Sequence, residues 1–119
     1  MDDVLPGNAP DDDLFSATSR RDGARAIVEI AGELDLSTVE PLTAKLRDAI
    51  VDGIDTVDLD TTGVTFLDSR ALAMFLAFQI NGPKEGVAVR IVAASDEVVR
   101  VAKLAGLETV LLPDIDAAG

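Results

Sequence analysis

Apolar residues along the chain switch between two spacings, and the switches mark the elements. From Arg25 to Ala31 the apolar positions Ile27, Val28 and Ile30 crowd into a strand-like run that Gly32 ends. A weaker strand candidate, Leu14–Ser19, precedes it. Asp22-Gly23 between the two is a hairpin signal that makes them antiparallel neighbours. Ser37-Thr38-Val39-Glu40 then has the spacing of a capping box, with Ser37 as N-cap and Glu40 reaching back. Behind it Leu42, Leu46, Ala49 and Ile50 recur at helical spacing, and Gly53 is the expected stop. Pro41 is tolerated because it falls in the first turn.

Val57 and Leu59 alternate with Asp58 and Asp60, which predicts a short strand over Thr56–Thr61 and a turn at Gly63. Val64-Thr65-Phe66-Leu67 leads into Asp68-Ser69, where a helical pattern begins with Leu72, Phe75, Leu76 and Ile80 on one face; Asn81-Gly82-Pro83 ends it. Val87–Ala93 reads as a buried or half-buried strand. Ser95-Asp96-Glu97 caps a third helix whose inner face is Val98, Val101, Ala102 and Ala105, with Gly106 as its stop and Val110–Leu112 as a last short strand. The order β-β-α-β-α-β-α-β predicts an α/β domain: a mixed, mostly parallel sheet with an N-terminal antiparallel hairpin and helices packed against it.

Length and charge set the organisation. A chain of 119 residues, 48% hydrophobic, is enough for one domain with its own core. Residues 1–13 carry Asp2, Asp3, Asp11, Asp12 and Asp13 and no basic residue, so they read as a disordered acidic tail; the domain is expected over 14–113, with a short C-terminal tail over 114–119. The net charge of −12 and the lack of any basic cluster beyond Arg20-Arg21 argue against nucleic acid. The longest uncharged stretch, Ala71–Pro83, is shorter than the ~20 residues of a membrane span, and no secretory signal is visible. A cytoplasmic protein with protein partners is the expectation. The sequence has no His and no Cys, which excludes Ser–His–Asp and Cys–His catalysis and the usual zinc sites. Neither an enzyme nor a metal or cofactor protein is expected.

Candidate chemistry gathers at Asp68-Ser69, a strand-to-helix junction. A helix N-terminus presents unpaired amides and a positive dipole end, so either residue could cap it. Alternatively, a phosphate on Ser69 would add about −1.5 to −2 charges there and switch a surface by local charge and bulk. Asp58 and Asp60 share a strand face, which suits a solvated edge, an Asp60 that anchors the following turn, or a hard cation. Met74 and Phe78 lie one turn apart, off the Leu72–Phe75–Leu76 face, and form an apolar partner patch if exposed.

Four segments then act together: Gly32-Glu33-Leu34-Asp35 followed by Leu36-Ser37-Thr38; Leu59-Asp60; Phe66-Leu67-Asp68-Ser69; and Val99–Leu107. In this order the chain resembles a STAS domain, specifically the bacterial anti-sigma factor antagonists, over roughly Phe15–Leu112. The resemblance implies a switch in which the unphosphorylated protein binds an anti-sigma factor that is also a serine kinase and so frees a sigma factor. It implies phosphorylation at Ser69, reversal by a serine phosphatase, and kinase contacts in the region of Asp35 and Asp68. Arg70, which could pair with Asp68 or with a phosphate on Ser69, and Met74, if exposed, complete the expected partner-binding set with Asp35, Asp68 and Ser69. Arg70 and Ala71 stand where the family usually has a small hydroxyl residue and then Gly, and Asp58 stands where it usually has an apolar one. Two alternatives remain: a STAS adaptor in a transport or stress-signalling assembly that is never phosphorylated, and a response-regulator receiver. The receiver fits poorly, because Asp11–Asp13 precede the first apolar run and Lys103 falls inside a helical pattern.

Overall fold

A computed structural model describes residues 15–115; the acidic segment 1–13 lies outside the described residues. Strand β1 (Phe15–Asp22) and strand β2 (Arg25–Leu34) form the expected antiparallel hairpin, with Asp22 paired to Arg25 and Phe15 to Gly32. The connection is the two residues Gly23-Ala24, and Gly23 takes φ 63°, as a short hairpin loop needs at its first position. Helix α1 (Leu36–Ala49) returns the chain to β3 (Thr56–Leu67); helix α2 (Ser69–Asn81) and a 3₁₀ turn over Gly82–Glu85 return it to β4 (Ala88–Ala94). Helix α3 (Asp96–Leu104) and one short helical turn, α4 (Glu108–Leu111), follow. The sheet order is β1-β2-β3-β4, with β2, β3 and β4 parallel. This is the mixed, mostly parallel sheet with an N-terminal antiparallel hairpin that the spacing predicts.

Burial alternates along the strands and assigns the two faces. Ala26, Val28 and Ile30 of β2, Val57 and Leu59 of β3, and Val89 and Ile91 of β4 are buried. Against them lie Leu42 and Leu46 of α1, Leu72 and Phe75 of α2, and Val98 and Ala102 of α3, all in one cluster. Each helix thus contributes the apolar face read from its 3.6-residue spacing, except at the ends: Ile80 and Ala105 are exposed. The other face of the sheet carries Arg20, Ile27, Glu29, Asp58, Asp60, Arg90 and Val92, and among the described residues no helix covers it.

Four local expectations are corrected. Helix α1 is capped by Asp35, not Ser37: the Asp35 carboxylate accepts from the Ser37 amide at 2.9 Å, and the Asp35 amide donates to Thr38 Oγ1 at 2.9 Å. The cap therefore sits two residues earlier, and Thr38 takes the role assigned to Glu40. Helix α1 ends at Ala49, and Gly53, at φ 89°, serves the turn before Ile54 instead of the helix stop. Strand β3 runs through Gly63 without turning. Its pairing with β2 shifts register on either side of this point, and a Cβ on Gly63 would lie 2.7 Å from that of Ala31, so the glycine permits close strand approach. Finally, Val110–Leu112 belongs to a helical turn, not a strand. Leu111 and Leu112 are both buried, which one face of a strand cannot achieve for consecutive residues, and the Leu111 carbonyl accepts from Gln79 Nε2 at 2.9 Å.

Candidate functional site

The three parallel strands end in the same way at one edge of the sheet. After β2 comes Asp35, after β3 Asp68 and after β4 Ser95, and each side chain caps the helix that follows. Capping is needed because the first amides of a helix have no intrahelical partner. Asp68 Oδ1 accepts from the amides of Arg70 and Ala71 at 3.0 and 3.1 Å. Asp35 Oδ1 accepts from the amide and hydroxyl of Ser37 at 2.9 and 2.7 Å. These hydrogen bonds, that from the hydroxyl first, hold the Asp35 carboxyl below the usual carboxylate range. The two caps are tied together, since the Asp68 amide donates to the Leu34 carbonyl at 3.1 Å. Thr38 Oγ1 closes the α1 end by donating to the Glu33 carbonyl at 3.0 Å.

Ser69 is the first residue of α2 and is exposed. The Asp68 carboxylate already occupies the amides that would otherwise cradle an anion. A phosphate on Ser69 would therefore project outward beside a second negative group. Arg70 is also exposed and makes no ion pair with Asp68. Ala71 is fully buried, so its methyl packs into the core while its amide serves the cap.

The structure brings Asp35, Asp68, Ser69 and Arg70 to one edge and removes Met74 from the set. Met74 is only 8% exposed and belongs to the core; Phe78 is half-buried against it, under the Arg47 guanidinium at 6.0 Å. The partner patch expected from these two side chains is absent, because a helix apolar nearly all round buries both flanks. Other apolar groups flank the edge instead. Leu36, at the start of α1, is 65% exposed, and Phe66, two residues before Asp68 and paired in register with Glu33, is 45% exposed. Sequence reasoning missed them. Their one signal was that each is a large apolar residue within two positions of a capping aspartate.

Asp60 does anchor the turn after it, accepting from the amide and hydroxyl of Thr62 at 2.9 and 2.7 Å. Asp58 leaves no room for a cation: Arg25 Nη1 takes one carboxylate oxygen, and Arg90 Nε and Nη2 take the other at 3.2 and 2.9 Å. Lys103 sits in α3 with Nζ 3.8 Å from Glu108, apart from both aspartates, which removes the receiver reading. A groove of about 440 Å³ lies at the far ends of α1 and α2, lined by Arg47, Ile50, Phe78 and Lys84. Asp35, Asp68, Ser69 and Arg70 are not among the residues that line this groove. No helix among the described residues is long and apolar enough to cross a membrane.

Comparison with known proteins agrees with this architecture. No curated protein matches the chain. An anti-sigma factor antagonist from Mycobacterium paratuberculosis superposes with TM-score 0.68 at 22% identity, over 89% of this chain and 92% of that one. The antisigma-factor antagonist STAS domain from Rhodobacter sphaeroides has TM-score 0.57 at 27% identity, over 71% and 95%. The Bacillus cell fate determinant SpoIIAA in its phosphorylated form has TM-score 0.62 at 20% identity, over 87% and 94%. The family model described as "Mlab, STAS domain" matches residues 17–113. With strand order, capped carboxyl edge and family model in agreement, the chain belongs to the STAS domain family.

Proposed function

We propose that this STAS domain is an anti-sigma factor antagonist. Its carboxyl edge, built from Asp35, Asp68, Ser69 and Arg70 and flanked by Leu36 and Phe66, binds an anti-sigma factor serine kinase and so frees a sigma factor. The kinase phosphorylates Ser69 and the complex dissociates; a serine phosphatase restores the binding form. The protein acts in the cytoplasm, by binding and not by catalysis.

One observation carries this reading: Ser69 is exposed at the first position of α2 while Asp68 already fills the helix N-terminus. A phosphate there gains no internal neutralisation, so the switch works through like-charge repulsion and bulk at the docked surface, without refolding. Like charges brought together across an interface cost several kcal/mol, and each 1.4 kcal/mol is tenfold in affinity, so phosphorylation should weaken binding about 100-fold or more. The likeness to a SpoIIAA structure in its phosphorylated form supports the same reading. Calorimetric titration of the anti-sigma serine kinase with Ser69→Asp and Ser69→Ala tests it. Ser69→Asp should lose most of the affinity and Ser69→Ala should keep it; wild-type affinity for Ser69→Asp would end the proposal.

A second reading is favoured by Arg70 and Ala71, which depart from the pattern that follows the phosphoacceptor in the antagonists. It makes this chain a STAS adaptor that is never phosphorylated. In that case both Ser69 variants bind their partner as the wild type does.

A further inference from the structure

Arg70 is placed against its own helix. It is the second residue of α2, and its amide donates to Asp68 Oδ1 at 3.0 Å, so its backbone is fixed at the positive end of the helix dipole. A cation there is disfavoured unless an anion pairs with it. Asp68, two residues away, does not: its Oδ1 accepts from the amides of Arg70 and Ala71, and among the described residues the Arg70 guanidinium makes no ion pair. The side chain is exposed, and no contact within the described chain explains its charge. Its surroundings are acidic. The last residues of β2 and the first of the three helices bring Glu33, Asp35, Asp68 and Asp96 to the same edge, while Glu97 is already matched by Arg100 at 2.8 Å. Among the described residues Arg70 is the cation of this edge that has no acid of its own.

We propose that Arg70 is a specificity-determining residue of the docking edge: it pairs with a carboxylate of the anti-sigma serine kinase, and that same carboxylate repels a phosphate on Ser69. This rests on the antagonist reading above and states what the partner carries there. A switch that works by like-charge repulsion needs a negative group on the partner close to Ser69. Arg70 adjoins Ser69 in the chain, and a guanidinium with no internal partner is the group that would hold such a carboxylate in the unphosphorylated complex, by bidentate hydrogen bonds. Phosphorylation then sets about −1.5 to −2 charges beside it, more than the single positive charge of Arg70 offsets, and attraction at this point turns to repulsion. The partner surface is therefore basic or neutral where it meets Glu33, Asp35, Asp68 and Asp96, with one acid opposite Arg70. A uniformly basic surface would be repelled by Arg70, so the lone cation selects a partner by charge pattern.

Calorimetric titration of full-length Arg70→Ser and Arg70→Glu against the anti-sigma serine kinase tests this, with thermal melting of each variant alongside. Arg70→Ser should bind at least about tenfold more weakly than the wild type and Arg70→Glu at least about 100-fold more weakly. Arg70→Ser should melt no lower than the wild type, because a disfavoured charge has left the helix start. Among kinase variants in which single exposed acids are changed to Lys, one should restore Arg70→Glu binding by at least about tenfold. That same kinase variant should bind Ser69→Asp at least as tightly as it binds the wild type. Wild-type affinity for both Arg70 variants, with Ser69→Asp still excluded, would overturn the inference and leave the antagonist reading standing. Failure of every acid-to-lysine kinase variant to restore Arg70→Glu would also overturn it, as would a loss of Arg70→Ser affinity accompanied by a lowered Tm. Wild-type affinity for Ser69→Asp would overturn both.

Discussion

Replacing Asp68 by Ala removes a carboxylate that accepts the amides of both Arg70 and Ala71, at 3.0 and 3.1 Å. Loss of an N-cap of this kind costs about 1 kcal/mol, within a range of ~0.5–2. Loss of the negative charge from the positive end of the α2 dipole adds ~0.3–1 kcal/mol. The sum, ~1–2 kcal/mol, should lower the Tm by about 5–15 °C, given ~4–8 °C per kcal/mol for a domain of this size. Asp68→Asn keeps the accepting oxygen and loses the charge, so it should fall by only the smaller of the two amounts. The sequence has no Trp and no Tyr, so thermal unfolding is best followed by far-UV circular dichroism. A Tm of Asp68→Ala indistinguishable from wild type would refute the capping argument. Equal losses for Asp68→Ala and Asp68→Asn would show that the charge, and not the hydrogen bonds, is what the helix needs. Because the cap also fixes the first turn on which Ser69 rides, Asp68→Ala should be phosphorylated more slowly than its folded fraction alone would allow.

Asp35 supplies a pH test. Its hydrogen bonds to Ser37 lower its pKa in the folded state, so they contribute stability above the ordinary carboxylate value of 3.8 that is lost as pH falls through the lower folded value. Asp35→Asn should reduce the urea midpoint at neutral pH and match the wild type near pH ~2; a deficit that persists in acid would contradict the assignment. Gly63→Ala should destabilise by ~1–3 kcal/mol, because the new Cβ would stand 2.7 Å from that of Ala31, and Ala31→Gly should restore most of the loss in denaturant titrations. If the double variant is as unstable as Gly63→Ala alone, the strain lies elsewhere.

What could be read from the sequence was whatever depends on near neighbours in the chain. Leu42 and Leu46, Leu72 and Phe75, and Val98 and Ala102 announced three buried helix faces because the helical repeat is local, and Asp22-Gly23 announced the hairpin for the same reason. For the first helix the spacing pointed to Ser37 as the cap, whereas Asp35, two residues earlier, fills that role. The choice fell to Asp35 because β2 pairs with β3 as far as Leu34, and Thr38 then closes onto the Glu33 carbonyl. Gly63 resembled a turn residue, whereas its role is the missing Cβ opposite Ala31. Val110–Leu112 was too short a run for its spacing to separate strand from helix. At the site, Asp68-Ser69 was legible as a motif at a helix start. The exposure of Leu36 and Phe66 and the burial of Met74 were not, since both depend on which strand or helix packs alongside. The Arg25–Asp58–Arg90 cluster needed the register of three strands, which no local pattern encodes.

The proposed switch turns on Ser69 as the residue on which a kinase acts. Its most direct test is peptide mass spectrometry of the full-length protein after incubation with ATP and the anti-sigma serine kinase of the same genome. One phosphate is expected, on the peptide containing Ser69, and none on the Ser69→Ala variant. An unmodified protein, or phosphate on Ser37 or Ser95 with Ser69 intact, would contradict it.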